Sequence, residues 1–124
     1  MYLIDTDYLI GYLRGKKDVV EELDLFDINL WSTSVICVGE VLEGVVDKNK
    51  QKVEKWFEEM KIFEVDLRVA RVFAEIRREL RKQGNLIDNM DLLIASTCLA
   101  YDLILVTSNK KHFERIGGLK IWEK

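Results

Sequence analysis

Short apolar runs recur along the chain between longer segments whose apolar residues fall every three or four positions. That alternation limits the fold more than any other feature of the sequence. It builds βαβ units, in which parallel strands pair side by side and the intervening helices cover the sheet. The expected class is α/β, a three-layer α/β/α arrangement around a mostly parallel central sheet. YLID (2–5) reads as a buried strand, followed by a helix from about Asp7 to Leu13 that ends near Gly15. Val19, Val20, Leu23 and Phe26 repeat at helical spacing, and INLW (28–31) reads as a second strand. Ser32, Thr33 or Ser34 then caps a helix carrying Val35, Val38, Leu42 and Val45. Val53, Trp56, Phe57 and Met60 form the stripe of the next helix, and IFEV (62–65) is the strand after it. A long helix carries Val69, Val72, Phe73, Ile76 and Leu80 and stops at Gly84, and another runs from near Asp88 to about Tyr101. LILVT (103–107), a short helical turn through Phe113 and LKIW (119–122) complete the pattern.

Nothing divides the 124 residues: there is no proline, no Ser/Gly linker and no repeat, so a single domain over 1–124 is expected. With 48% hydrophobic and 33% charged residues, the whole chain is expected to fold. Cys37 and Cys98 lie inside apolar stretches and read as buried free thiols, which suits a reducing cytoplasm. A single histidine and the absence of CxxC spacing argue against a zinc site. No apolar run approaches the roughly 20 residues needed to cross a bilayer. The net charge of −3 excludes a protein that grips nucleic acid by bulk positive charge, so any RNA contact must be local or carried by a bound cation.

In a parallel sheet, ligands bind at the carboxyl ends of the strands, near the point where strand order reverses. Asp5 ends the first run, and Thr107, Ser108 and Asn109 follow LILVT. If those strands are neighbours, their loops open on one crevice. Glu40 and Asp91 interrupt otherwise apolar helical segments. Each alone is also explained as an exposed residue near a helix end, and Asp91 as a first-turn acid favoured by the helix dipole. Gathered together, they demand more. Two carboxylates about 4 Å apart repel by roughly 4 kcal/mol at an effective dielectric near 20, so three in one crevice need a cation. Oxygen ligands select a hard ion, Mg²⁺ or Mn²⁺, whose coordination is completed by water and substrate phosphate.

Four segments carry a resemblance that spans the chain: Ile4-Asp5-Thr6-Asp7, Ser34 to Gly44 with Glu40, Asp91-Leu92-Leu93-Ile94-Ala95, and Leu105 to Asn109 followed by His112-Phe113. In order and at these separations, they resemble the PIN domain, and within it the VapC-like toxins of prokaryotic toxin–antitoxin pairs. The resemblance implies that Asp5, Glu40 and Asp91 hold the divalent ion. It further implies that Asn109 occupies a fourth position filled by Asp or Asn, and that Thr107 orients the site or a bound water. The implied activity is endonucleolytic cleavage of RNA, in which metal-activated water attacks phosphorus in line and leaves a 5′-phosphate and a 3′-hydroxyl. The implied partners are an RNA substrate, a second copy in a homodimer, and a cognate antitoxin whose C-terminal segment covers the acidic groove.

Other residues compete for roles. Asp7 is read as outside the metal ligands, either supporting them from behind or serving as an N-cap or first-turn acid; Asp88 is read as a helix N-cap ahead of a metal-side role, Glu43 as solvated and His112 as a partly exposed structural residue. Among the basic residues, Arg14 and Lys110 are the first candidates for holding phosphates outside the metal site. Trp31, Trp56 and Phe57 are read as core or dimer-interface residues rather than base-stacking ones. Two other functions stand beside the nuclease: a PIN fold kept for RNA or protein binding with weak or no catalysis, motivated by Asn109 and His112, and a phosphorelay receiver using Asp66.

Overall fold

The computed structural model describes residues 1–124. Tyr2, Leu3 and Ile4 form the first strand because Leu3 and Ile4 lose all solvent contact there, between neighbours on both sides. The strands are β1 (Tyr2–Ile4), β2 (Trp31–Ser34), β3 (Lys61–Phe63), β4 (Ile104–Val106) and β5 (Lys120–Ile121). They lie in the order β3-β2-β1-β4-β5, and every pair is parallel. The helices are α1 (Thr6–Leu13), α2 (Lys17–Leu23), α3 (Val35–Gly44), α4 (Asp47–Glu58), α5 (Leu67–Lys82), α6 (Asn89–Tyr101) and α7 (Lys110–Phe113). Together they make the expected three-layer α/β/α arrangement.

The second strand differs from its expected position. Ile28–Leu30 is a 3₁₀ turn, closed by the Asp27 carboxylate accepting from Asn29 N–H at 2.9 Å, and its Ile28 and Leu30 side chains are exposed. The strand is instead Trp-Ser-Thr-Ser, wholly buried. Its hydroxyls tolerate burial because they are bonded: Ser32 Oγ donates to Tyr2 O at 2.6 Å and Thr33 Oγ1 to Ile4 O at 2.8 Å. Ser34 ends the strand and caps α3, accepting from Ile36 N–H. The other strands are shorter than their apolar runs: β3 stops at Phe63, and Asp5 caps α1 instead of extending β1.

One cluster of 22 buried side chains runs through the sheet and both helical layers. Helix α6 is buried over most of its surface, and its Ser96 and Thr97 hydroxyls turn back onto Leu92 O and Leu93 O. Cys37 and Cys98 are free and buried, as expected. Trp31 and Phe57 are core residues, while half-buried Trp56 stacks on Tyr12. No helix is long and apolar enough to cross a membrane.

Helices α1 and α2 approach closely at Gly11, where an added Cβ would stand 3.0 Å from a Val19 methyl. Gly11→Ala is therefore expected to lower stability by about 1–2 kcal/mol despite alanine's better helix propensity. Thermal melts of Gly11→Ala, Val19→Ala and the double variant check this. The two losses should not add, because the second substitution removes the clash.

Candidate active site

Strands β1 and β4 are adjacent, and the strand order reverses between them. Asp5 is anchored at this junction by its backbone N–H, which donates to Val106 O at 2.9 Å. Its carboxylate is 8% exposed and takes three contacts: Thr107 Oγ1 donates to Oδ2 at 2.7 Å, Thr6 N–H donates to Oδ1 at 2.8 Å, and the Cys37 thiol lies 3.9 Å from Oδ1. Burial pushes the Asp5 carboxyl up to about 6 from 3.8; the Thr107 hydroxyl pulls it back, while nearby Asp7 and Asp91 push it further up. The Cys37 thiol, buried beside that carboxylate, rises to about 12 and stays protonated.

The next two acids come from two helices, Glu40 from the middle of α3 and Asp91 from the first turn of α6. Glu40 is exposed on α3, with Oε1 accepting from Thr6 Oγ1 at 2.8 Å. Thr6 thus ties Glu40 to Asp5 through its hydroxyl and its backbone N–H. Asp91 sits half-buried in the first turn of α6, behind Asp88, which caps that helix as expected by accepting from Met90 N–H and Asp91 N–H. Burial raises the Asp91 carboxyl, His112 lowers it, and Asp88 and Glu40 raise it again. Asp5 feels the charge of Asp91, and Asp91 feels that of Glu40, so the three acids are electrostatic neighbours.

The loop after β4 closes the crevice. Asn109 is exposed, heads α7, and donates its backbone N–H to Thr107 Oγ1 at 3.1 Å. Asp7 has a larger part than its sequence reading gave it. Its Oδ2 accepts from both the backbone N–H and the hydroxyl of Ser108, which pins this loop to the start of α1. His112 also does more than expected: its Nε2 lies 3.0 Å from Asp91 Oδ2. The ring nitrogen is not aligned with that oxygen, so this is a close contact and not a directed hydrogen bond.

The chain's one Lys or Arg ion pair is Lys120–Asp102, so no Lys or Arg neutralises Asp5, Glu40 or Asp91. The donor set is oxygen-rich and short of positive charge, which fits a hard divalent cation. No three His, Cys, Asp or Glu side chains point at one ligating centre here, since Glu40 is turned to Thr6 and Asp91 to His112. Mg²⁺ needs only one or two carboxylates when waters and substrate phosphates complete its shell.

Arg14 follows α1, about 13 Å along the helix axis from Asp5 at 1.5 Å per residue, and lines a groove of about 570 Å³ between α1, α3 and α4. One expectation is corrected. Asp66 follows the edge strand β3, caps α5 and accepts from the Tyr101 hydroxyl, so it is not the acid on a central strand that a phosphorelay receiver requires.

The PIN domain profile matches residues 2–119. The chain belongs to the PIN-domain family. This PIN domain is 39% identical to Ribonuclease VapC1 of Methanocaldococcus jannaschii, over 98% of the chain and 87% of that relative. It is 27% identical to the tRNA(fMet)-specific endonuclease VapC of Shigella flexneri, over 96% and 94% of the two chains. Among solved structures, VapBC2 from Rickettsia felis bound to a promoter DNA fragment superposes with a TM-score of 0.85 at 27% identity, covering 98% of both chains.

Sequence reasoning about this PIN domain missed the contacts of Thr6, Asp7 and His112. A signal was available for Asp7, two residues past Asp5, and for His112, three past Asn109 on a turn beside the crevice. Neither spacing reveals its partner, because Ser108 and Asp91 come from distant segments.

Proposed function

We propose that the chain is a Mg²⁺- or Mn²⁺-dependent endoribonuclease, the toxin of a toxin–antitoxin pair, acting in the cytoplasm. The observation that supports this reading is an acidic crevice at the β1–β4 junction, where Asp91 is the electrostatic neighbour of both Asp5 and Glu40 and no Lys or Arg is paired to any of the three. The ribonuclease names of full-length relatives support RNA as the substrate. Asp5, Glu40 and Asp91 would hold the ion, which when bound supplies Lewis acidity to a phosphate oxygen and lowers the pKa of water. The chain's own groups set the geometry: Thr107 and Thr6 fix the two oxygens of Asp5, Thr6 fixes Glu40, and Asp7 holds the loop bearing Asn109. Lys110, next to Asn109 at the start of α7, would meet a flanking phosphate.

The antitoxin reading is supported by the groove between α1, α3 and α4. It is lined by Ile10, Tyr12, Val41, Val53 and Trp56, with Arg14 and Lys52 on its border, and it would take an apolar segment bearing an acid. VapBC2 is a relative of the same fold. The homodimer rests on family resemblance, and its mass in solution tests it.

Glu40 is exposed and Asp91 half-buried at a helix start, so Glu40→Gln and Asp91→Asn should leave the fold intact. Each is expected to slow cleavage of structured RNA by about 100-fold or more, and EDTA to abolish it. Cutting that persists in EDTA, or at the wild-type rate in both variants, would sink the proposal. The alternative, a binding module, is favoured by the neutral amide of exposed Asn109. Undiminished RNA binding with no cleavage in either metal would establish it.

A further inference from the structure

We propose that His112 joins Asp91 as a ligand of the divalent cation, making the site a mixed carboxylate–imidazole centre that favours Mn²⁺ over Mg²⁺. This inference rests on the metal dependence proposed above. Its geometric basis is the relation between two donor atoms. Ligands on adjacent corners of an octahedron, each about 2.1 Å from the metal, stand about 3 Å apart. His112 Nε2 and Asp91 Oδ2 stand 3.0 Å apart. The nitrogen is sealed from solvent yet makes no aligned hydrogen bond to any acceptor, Asp91 included. A buried ring nitrogen without a directed partner, at a ligand–ligand distance from a carboxylate oxygen, is placed to share a third atom with it.

The surroundings agree. Phe113 packs its ring edge-on against the imidazole at 5.8 Å, and as a fully buried core residue it fixes the turn that presents His112. Asp91 belongs to α6, whose first turn is held by Asp88, so both donors are carried on anchored backbone. Mg²⁺ holds oxygen ligands and water in preference to nitrogen, whereas imidazole suits first-row transition ions. An imidazole in the first coordination sphere therefore favours Mn²⁺.

The chain contains one histidine, so in tag-free protein any imidazole nitrogen bound to Mn²⁺ is His112. Pulsed EPR of the wild type with stoichiometric Mn²⁺ should show ¹⁴N modulation, which changes to the ¹⁵N pattern when histidine alone is ¹⁵N-labelled. His112→Asn should remove that modulation and weaken Mn²⁺ binding by about tenfold, while changing Mg²⁺ binding, measured by competition, less than twofold. Mn²⁺ that binds the wild type without nitrogen modulation overturns the role of His112 and leaves the metal-dependent nuclease standing. Failure of Mn²⁺ to bind at all overturns both. The labelling readout uses the wild type alone, so it decides the question even if His112→Asn folds poorly.

Discussion

With EDTA present at pH 7.5, Asp5→Asn is expected to melt above the wild type, and with Mg²⁺ or Mn²⁺ supplied it is expected to lose RNA cleavage. Burial raises the Asp5 carboxyl to about 6, so at neutral pH the folded protein holds a charge that the unfolded chain holds more comfortably. Because the folded value lies above the ordinary 3.8, the folded state binds the proton more tightly. Asp5 therefore contributes its full stabilisation only when protonated, below about pH 4. That contribution is lost as pH rises to about 6 and stays lost above it. Two pKa units correspond to about 3 kcal/mol, an upper bound for the gain on removing the charge. Asparagine can keep the Thr107 hydrogen bond through its oxygen, but its NH₂ group then meets the Thr6 N–H that Oδ1 now accepts. That mismatch leaves a net gain of about 1–2 kcal/mol, or several degrees in a chain of this size. Calorimetry at pH 7.5 and pH 5 checks the sign: the gap should shrink at pH 5, where wild-type Asp5 is largely protonated. A variant that melts below wild type at pH 7.5 would refute the argument. Mn²⁺ should raise the wild-type melting temperature and leave the variant's unchanged.

Thr107→Val is expected to be the most damaging near-isosteric change at the site. The hydroxyl is buried, donates to Asp5 Oδ2 and accepts from Asn109 N–H, so valine fills the space but leaves Asp5 Oδ2 and the Asn109 N–H without partners. Stability should fall by about 1–3 kcal/mol. The Thr107 bond also holds the Asp5 carboxyl down, so its loss should push that group above 6 and move the alkaline-going rise of metal binding and cleavage to higher pH. Thr107→Ser keeps the donor and should restore the wild-type pH midpoint. A valine variant with an unchanged pH profile would show that Thr107 has only a packing role.

The sequence made much of this architecture legible because hydrophobic burial sets its period. The LILVT run lies on a strand buried between two others, and the stripe on Val53 and Phe57 faces the core. The second strand escaped because its polar residues are hidden by hydrogen bonds to Tyr2 O and Ile4 O, 30 and 29 residues away, which no local pattern announces. The same limit applied at the site. Asp5 and Thr107 could be placed at strand ends, and their adjacency followed once β1 paired with β4. The pairing of His112 with Asp91 and the bridge from Thr6 to Glu40 depend on how α6, α7 and α3 converge.

Asp5 receives its hydroxyl partner from a residue 102 positions later, across the junction of the first and fourth strands. During synthesis, the N-terminal acid emerges long before the strand that seats it. A ribosome-tethered nascent chain therefore has no assembled centre until β4 and its loop have left the exit tunnel, and any product truncated before residue 107 lacks one altogether. The order in which the strands are made thus delays assembly of the proposed centre until β4 and its loop have been translated.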